Sequence, residues 1–465
     1  MKSIKNLYKW CEEHIEITIA ILSFIIITLC SQNSFLYALN IINDTNVYKT
    51  IGRGILDGLV PYKDLYDHKG PYVYLLFALL ETWQPLVYIL EIVVCAISLH
   101  YAYKIMQLYK KNSILSLVAF ACLTYFSSSF RSAGAVEEFF FPMELYVTYL
   151  GLKYIKERQE ITQKQFFLIG IYSGLMLWSK FTLLGFFVGW CIVPFVIMLK
   201  EKKYKELASN IGFIILGVIA ITIPAGTYLG VNGAIPDFIQ TYFIDNSHYV
   251  VEGGIFVNVV SALLIVLIKL PIQIITIVIG IIAIKRERLE KWYFISILVV
   301  MVLITYSGGR TFHYYFFPFY MFMILGLIFL KKNWKSNIII VAAMIINILN
   351  YQDLKLINNE IAEYPQYKFA KIIDTVETPT LLIYNTLDYG FFEIANVIPN
   401  CKYFFKCSID GLAEEERNLY IKNKEVDFYI CKNEEADFEG YELVAEESME
   451  YGTTLTFYLY QLIEK

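Results

Sequence analysis

Asp44 is the first acid beyond the apolar run Ile17–Leu29, and it leads into a loop rich in groups that bind or move protons. That loop reads Gly52-Arg53-Gly54, then Gly58-Leu59-Val60-Pro61-Tyr62-Lys63-Asp64-Leu65-Tyr66-Asp67-His68-Lys69-Gly70-Pro71. A dense polar cluster there feeds the apolar stretch 72–80, too short to cross a bilayer and suited to an interfacial helix. Farther on, Arg131 to Glu138 ends in paired acids, Glu137 and Glu138, that enter an aromatic helix. Acids at such a place are costly unless they face a cavity or a cation, although a helix N-terminus also favours them. Lys180 interrupts an apolar run, where it either meets an anion or snorkels to the interface. Ser307-Gly308-Gly309-Arg310-Thr311-Phe312-His313 combines glycines that allow close approach with an arginine able to hold a phosphate through two parallel hydrogen bonds. His248 stands alone in its loop, and a lone loop histidine usually carries no function.

The elements that position these residues are mostly apolar. Of 465 residues 57% are hydrophobic and 18% charged, against about 25% charge in soluble domains, so the chain belongs to the membrane class. The net charge of −4 gives no reason to expect nucleic acid. No glycine-rich phosphate loop follows a strand, so no nucleotide cofactor is expected. Windows of about 20 apolar residues predict about eleven spans. They lie near 16–39, 84–106, 113–130, 139–155, 165–179, 181–199, 208–229, 256–284, 292–306, 314–330 and 335–350. Their mid-span segments are read as almost free of charge. The first span reads as a retained signal anchor, since no small-residue cleavage site follows it.

Basic residues fall in every second connection. They are Lys104, Lys110 and Lys111; Lys153, Lys156, Arg158 and Lys164; Lys200, Lys202, Lys203 and Lys205; Lys285, Arg286, Arg288 and Lys291; and Lys331, Lys332 and Lys335. By the positive-inside rule this places the N-terminus in the cytoplasm and the polar loops outside a cytoplasmic membrane. The expected organisation is a membrane domain, 1–350, with a first outer loop at 40–83, followed by a small extracytoplasmic α/β domain, 351–465. Strand-like runs at 379–384, 427–430 and 454–460 alternate with helical patterns at 388–395 and 413–424. Outside the cell, Cys401 and Cys407 either pair or remain thiols. The cysteine spacing matches no zinc motif.

An acid just after the first span, then Gly-x-x-Pro-Tyr and a Lys-x-Pro turn, resembles the GT-C superfamily of membrane glycosyltransferases. The nearest branch is that of protein O-mannosyltransferases and the lipid A aminoarabinose transferase, and the resemblance covers about residues 15–330. It implies an all-α polytopic enzyme in which Asp44 is the base that takes a proton from the acceptor hydroxyl. Lys69 occupies the place of the lysine that meets the carrier phosphate, in a turn where Gly70 replaces a proline. Arg310, His313 and Lys180 join that phosphate set, and Glu137, Glu138, His68 and Tyr62 orient substrate. Thr45 stands where the family commonly has a second acid, which weakens the case for a bound divalent metal. The expected partners are a polyprenyl-phosphate sugar and a cell-envelope acceptor. A lipid-carrier flippase, an envelope polymerase or ligase, and a catalytically dead scaffold are the rival readings.

Overall fold

Where no water reaches the backbone, every amide must be satisfied within its own segment, and an apolar run meets that demand by coiling into a helix. The computed structural model describes residues 2–110, 113–130, 134–251, 253–285, 287–329, 333–409 and 411–463. Lys111, Arg131, Arg286, Lys331 and Lys332 lie outside these. Among the described residues four helices are long and apolar enough to cross a bilayer: Leu86–Leu108, Phe181–Lys200, Tyr204–Val231 and Leu289–Tyr306. The count rises to seven if each bent helix pair is one span. In Tyr204–Val231 only 11% of the apolar window is buried, with Ile215, Leu216 and Ile223 exposed. Such a surface calls for lipid as its solvent, and the chain is a multi-pass membrane protein.

Several expected spans take a different form. The run 256–284 is two helices, Gly254–Lys269 and Pro271–Ala283, bent by 109°. Pro271 causes the break, because it lacks an N–H and disfavours helical geometry in the residue before it. The expected first span, 16–39, stops at Cys30. Beyond it, polar side chains compete for the backbone: Gln32 Oε1 accepts from the Ile41 amide at 2.9 Å and Asn40 Oδ1 from the Ile42 amide at 2.9 Å. The run 314–330 opens as a 3₁₀ segment, His313–Phe322, packed with buried aromatic rings, before the short helix Met323–Phe329.

The chain forms two compact units, each discontinuous in sequence. The first comprises Met1–Ser31, Tyr88–Pro224 and Val250–Tyr351; the second comprises Gln32–Val87, Ala225–Tyr249 and Gln352–Lys465. The first outer loop therefore shares its packing with the tail. Its helix Asn43–Leu56 is fastened there by Arg53, whose Nη2 donates to the carbonyls of Phe392 at 2.7 Å and Val397 at 2.8 Å. Lys49 adds an ion pair to Glu393 at 3.0 Å.

The tail carries a four-stranded sheet of β1 (Leu381–Ile383), β2 (Phe428–Lys432), β3 (Tyr441–Tyr451) and β4 (Thr453–Leu462) in the order β1-β2-β4-β3. β1 and β2 are parallel and the other pairs antiparallel. Three strands match the expected runs. β3 has no counterpart among them, because Glu442, Glu446, Glu447 and Glu450 break the apolar pattern of what is an edge strand. Leu382, Ile421, Tyr429 and Tyr460 form the core beneath the sheet. Cys401, Cys407 and Cys431 are buried free thiols, so the Cys401–Cys407 pair is not made.

Candidate functional site

In the second unit the loop after Val60 folds back on itself through its own side chains. Asp64 Oδ2 accepts from the Val60 amide at 2.8 Å, and the Tyr62 amide donates to Leu65 at 2.7 Å. Tyr62 holds φ at +71°, a conformation costly for a bulky residue, and is fully buried. Its hydroxyl donates to the Lys69 carbonyl at 2.8 Å, so this tyrosine shapes the loop that presents Lys69. Pro71 then starts the helix Pro71–Leu80, as expected of an apolar run there. Gly70 sits at φ −78° and ψ 161°, extended values that proline also adopts, so glycine at this position leaves the turn unchanged.

Asp67, His68 and Lys69 form a chain of contacts. Tyr74 Oη donates to Asp67 Oδ2 at 2.9 Å and accepts from the Lys69 amide at 2.9 Å. His68 Nδ1 lies 3.4 Å from Asp67 Oδ1, and His68 Nε2 lies 3.2 Å from Lys69 Nζ. An ammonium only donates, which assigns the acceptor role to Nε2 and the ring proton to Nδ1, at a geometry that makes no hydrogen bond to Asp67. Burial pushes the Asp67 carboxyl up, Lys69 pulls it back and the charge of Asp44 adds to the rise. Asp44 itself is half-buried in the first turn of Asn43–Leu56, at the positive end of the helix dipole.

The segment 240–249 closes one side of this chain. Asn246 Nδ2 donates to the His68 carbonyl at 2.9 Å, and the Tyr249 ring lies 5.3 Å from that of His68. Asp245 accepts from Tyr66 Oη at 2.9 Å and from Gln240 at 2.8 Å. Gln240–Asp245 is a π-helical turn, a rare form that occurs often at functional sites. His248 is exposed and outside the cluster.

The first unit holds the other candidates. Lys180 Nζ contacts Glu137 Oε1, and both are buried. The ammonium also lies over the rings of Tyr315 at 3.9 Å and Tyr314 at 4.7 Å. Lys180 thus sits between an acid and two aromatic faces. His313 Nε2 meets Lys269 Nζ at 3.2 Å, and Arg310 is half-exposed beside it in sequence. Gly309 precedes Arg310 at φ +76°, and a Cβ there would come within 2.8 Å of Val251 and 2.9 Å of Asn258. Asn258 pins this turn by donating to the Ser307 carbonyl at 3.0 Å.

Glu138 is buried, and neither oxygen makes a hydrogen bond within the distance and angle limits of an ordinary bond among the described residues; the Gly134 amide and Glu91 are its neighbours. Glu91 is fully buried and accepts from Ser31 Oγ at 2.5 Å. Glu144, inside the helix Val136–Glu157, is fully buried with both oxygens unpartnered among the described residues. These two acids correct the reading of mid-span segments as almost free of charge: one or two carboxylates barely shift an apolar average over 20 residues.

Asp67, Tyr74 and Asn246 belong to this cluster without having been singled out from the sequence. The run Asp67-His68-Lys69 was itself a signal; the partners from 74 and 246 had none, because only folding brings them in. Among the described residues no three His, Cys, Asp or Glu side chains are grouped as metal ligands would be. Models of known protein families give no match to this chain, and no curated protein matches it.

Proposed function

We propose that the protein is an inverting glycosyltransferase that moves a sugar from a polyprenyl-phosphate carrier to a cell-envelope acceptor. The observation that carries this reading is the Lys69 ammonium held by His68 above a buried Asp67, in the same compact unit as Asp44. In the proposed reaction Asp44 takes the proton of the acceptor hydroxyl as its oxygen attacks the anomeric carbon. The bond from that carbon to the phosphate oxygen breaks, and Lys69 stabilises the charge that develops on the departing phosphate. The same reading takes the resemblance to GT-C enzymes, about eleven spans, a cytoplasmic N-terminus and an outward-facing tail as its frame.

A transfer assay in membranes with radiolabelled polyprenyl-phosphate sugars tests it. Asp44→Asn is expected to abolish transfer at normal accumulation; transfer at the wild-type rate would remove Asp44 as base. Sidedness needs an engineered thiol, because Cys401 and Cys431 are buried. Glu435→Cys on the exposed tail surface is expected to react with an impermeant maleimide in intact cells.

A second reading, a lipid-carrier flippase or other transporter, draws on Glu91, Glu138 and Glu144. Buried intramembrane acids are a recurrent feature of proton and substrate pathways. Loss of carrier transport rather than transfer in Glu144→Gln membranes would favour it.

A further inference from the structure

Within the first unit, the helices Phe181–Lys200 and Leu289–Tyr306 run antiparallel and meet most tightly at Gly189. A Cβ at that position would lie 2.6 Å from Ile297 Cα, so only glycine allows this approach. Ser296 Oγ seals the contact by donating to the Gly189 carbonyl at 3.0 Å. Towards Lys200 the small residue gives way to Val193, Val196 and Ile197, facing Leu289 and Trp292 across the seam. A groove of about 680 Å³ runs along this seam, from Leu289 to Val300 on one helix and from Ile192 to Lys200 on the other.

Its walls are aliphatic along their length, and its charged lining residues, Arg158, Lys200 and Glu201, gather with Trp292 at one end. Leu289 to Val300 spans roughly 16 Å at the helical rise of about 1.5 Å per residue. One leaflet of a hydrocarbon core about 30 Å thick has the same depth. Trp292 is 49% exposed, as suits an indole at the level of lipid headgroups. Lys200 is exposed and has no hydrogen-bond or ionic partner among the described residues. Arg158 uses Nη1 for Glu201 at 3.3 Å, and Glu201 also contacts Lys203 at 3.5 Å. Lys203 is itself held by Glu160 at 3.3 Å and Glu206 at 3.8 Å, so Arg158 and Glu201 offset each other and Lys200 alone gives the end of the groove a surplus positive charge.

We propose that this groove is the seat of one resident anionic phospholipid, with an acyl chain along the seam and its phosphate between Arg158 and Lys200. The charge at one end, the apolar wall and the one-leaflet length all select this occupant. The proposal does not rest on the transferase reading.

The full chain, purified in mild detergent and offered equal amounts of phosphatidylglycerol and phosphatidylcholine of matched chains, tests it by native mass spectrometry. Wild type is expected to retain one phosphatidylglycerol preferentially. Arg158→Ala with Lys200→Ala, both at exposed ends of helices, is expected to lose that preference roughly tenfold or more, since basic residues near a lipid surface attract anionic headgroups. Val196→Trp, which fills the groove, is expected to lose both lipids. No preference for phosphatidylglycerol, or one unchanged in the double variant, would overturn the proposal. So would displacement of that lipid by equimolar polyprenyl phosphate, or a dimer cross-linked through Trp292 that excludes lipid.

Discussion

The two units handle buried charge in opposite ways. Around Asp67 and Asp388 in the second unit, each acid is met by donors: Tyr74 for the one, and the Gly390 and Phe391 amides, at 2.9 and 2.8 Å, for the other. In the first unit Glu137 has Lys180, yet Glu138 and Glu144 have no hydrogen-bond partner among the described residues. A loop-and-sheet unit offers free backbone amides that can turn towards a carboxylate. A bundle of membrane helices has spent its amides on its own ladders, so an acid there depends on side chains. The bonded acids serve the shape of a loop, and the orphan acids are the ones whose retention calls for a function.

The largest effect expected to sharpen this contrast is that of Lys180→Ala. It leaves Glu137 buried without its counter-ion, at a cost of about 3–5 kcal/mol in thermal or denaturant unfolding in detergent. Adding Glu137→Gln should recover a good part of that loss, whereas independent effects would mean the pair is not coupled.

Next comes pH. Burial pushes Asp388 up from 3.8 to about 6, against the pull of the Phe391 and Gly390 amides and Arg53, with Glu393 adding to the rise. The folded unit then binds this proton more tightly than the unfolded chain does. Stability is greatest below the unfolded value and falls as pH climbs from about 4 to about 6, by on the order of 3 kcal/mol. Asp388→Asn should flatten the pH dependence of unfolding across that window; an unaltered slope would assign it to another group, with Asp67 shifted in the same sense.

Tyr74→Phe removes the hydroxyl that serves both Asp67 and the Lys69 amide, and about 1–3 kcal/mol is expected to go with it. Retention of full stability would show that the loop does not depend on this bond. The smallest effect should come from Glu144→Met, which replaces an unpartnered acid by an apolar chain of similar volume. It is expected to be neutral or to stabilise by about 1–2 kcal/mol, and a loss of that size would reveal a partner and break the comparison.

Reading from residues to structure was uneven for physical reasons. Long apolar runs forecast the helices Leu86–Leu108, Phe181–Lys200 and Leu289–Tyr306 within a few residues, because hydrophobicity over about 20 positions is a property of the segment itself. The break at Pro271 was written in the chain, yet a window that averages over it passes straight through. Strands β1, β2 and β4 were legible as apolar runs, while β3 hid its fold behind surface glutamates. For the candidate site, the order Asp44 to Lys69 was visible, and so was the turn before Pro71. Tyr62 was visible as a candidate, but its bond to the Lys69 carbonyl inside the loop was not.

What the sequence determined by itself is local: apolar segments that must be helices in lipid, a charged tail able to build a sheet, and a loop that concentrates acid, histidine and lysine. What only the tertiary structure decided is which of those groups meet. Tyr74 and Asn246 reach Asp67-His68-Lys69 from separate segments, Arg53 ties the first loop to residues more than 300 positions on, and Lys180 chooses Glu137. Such pairings depend on where folded elements bring side chains together, and a polar residue facing water, lipid or a partner has the same letter in each case.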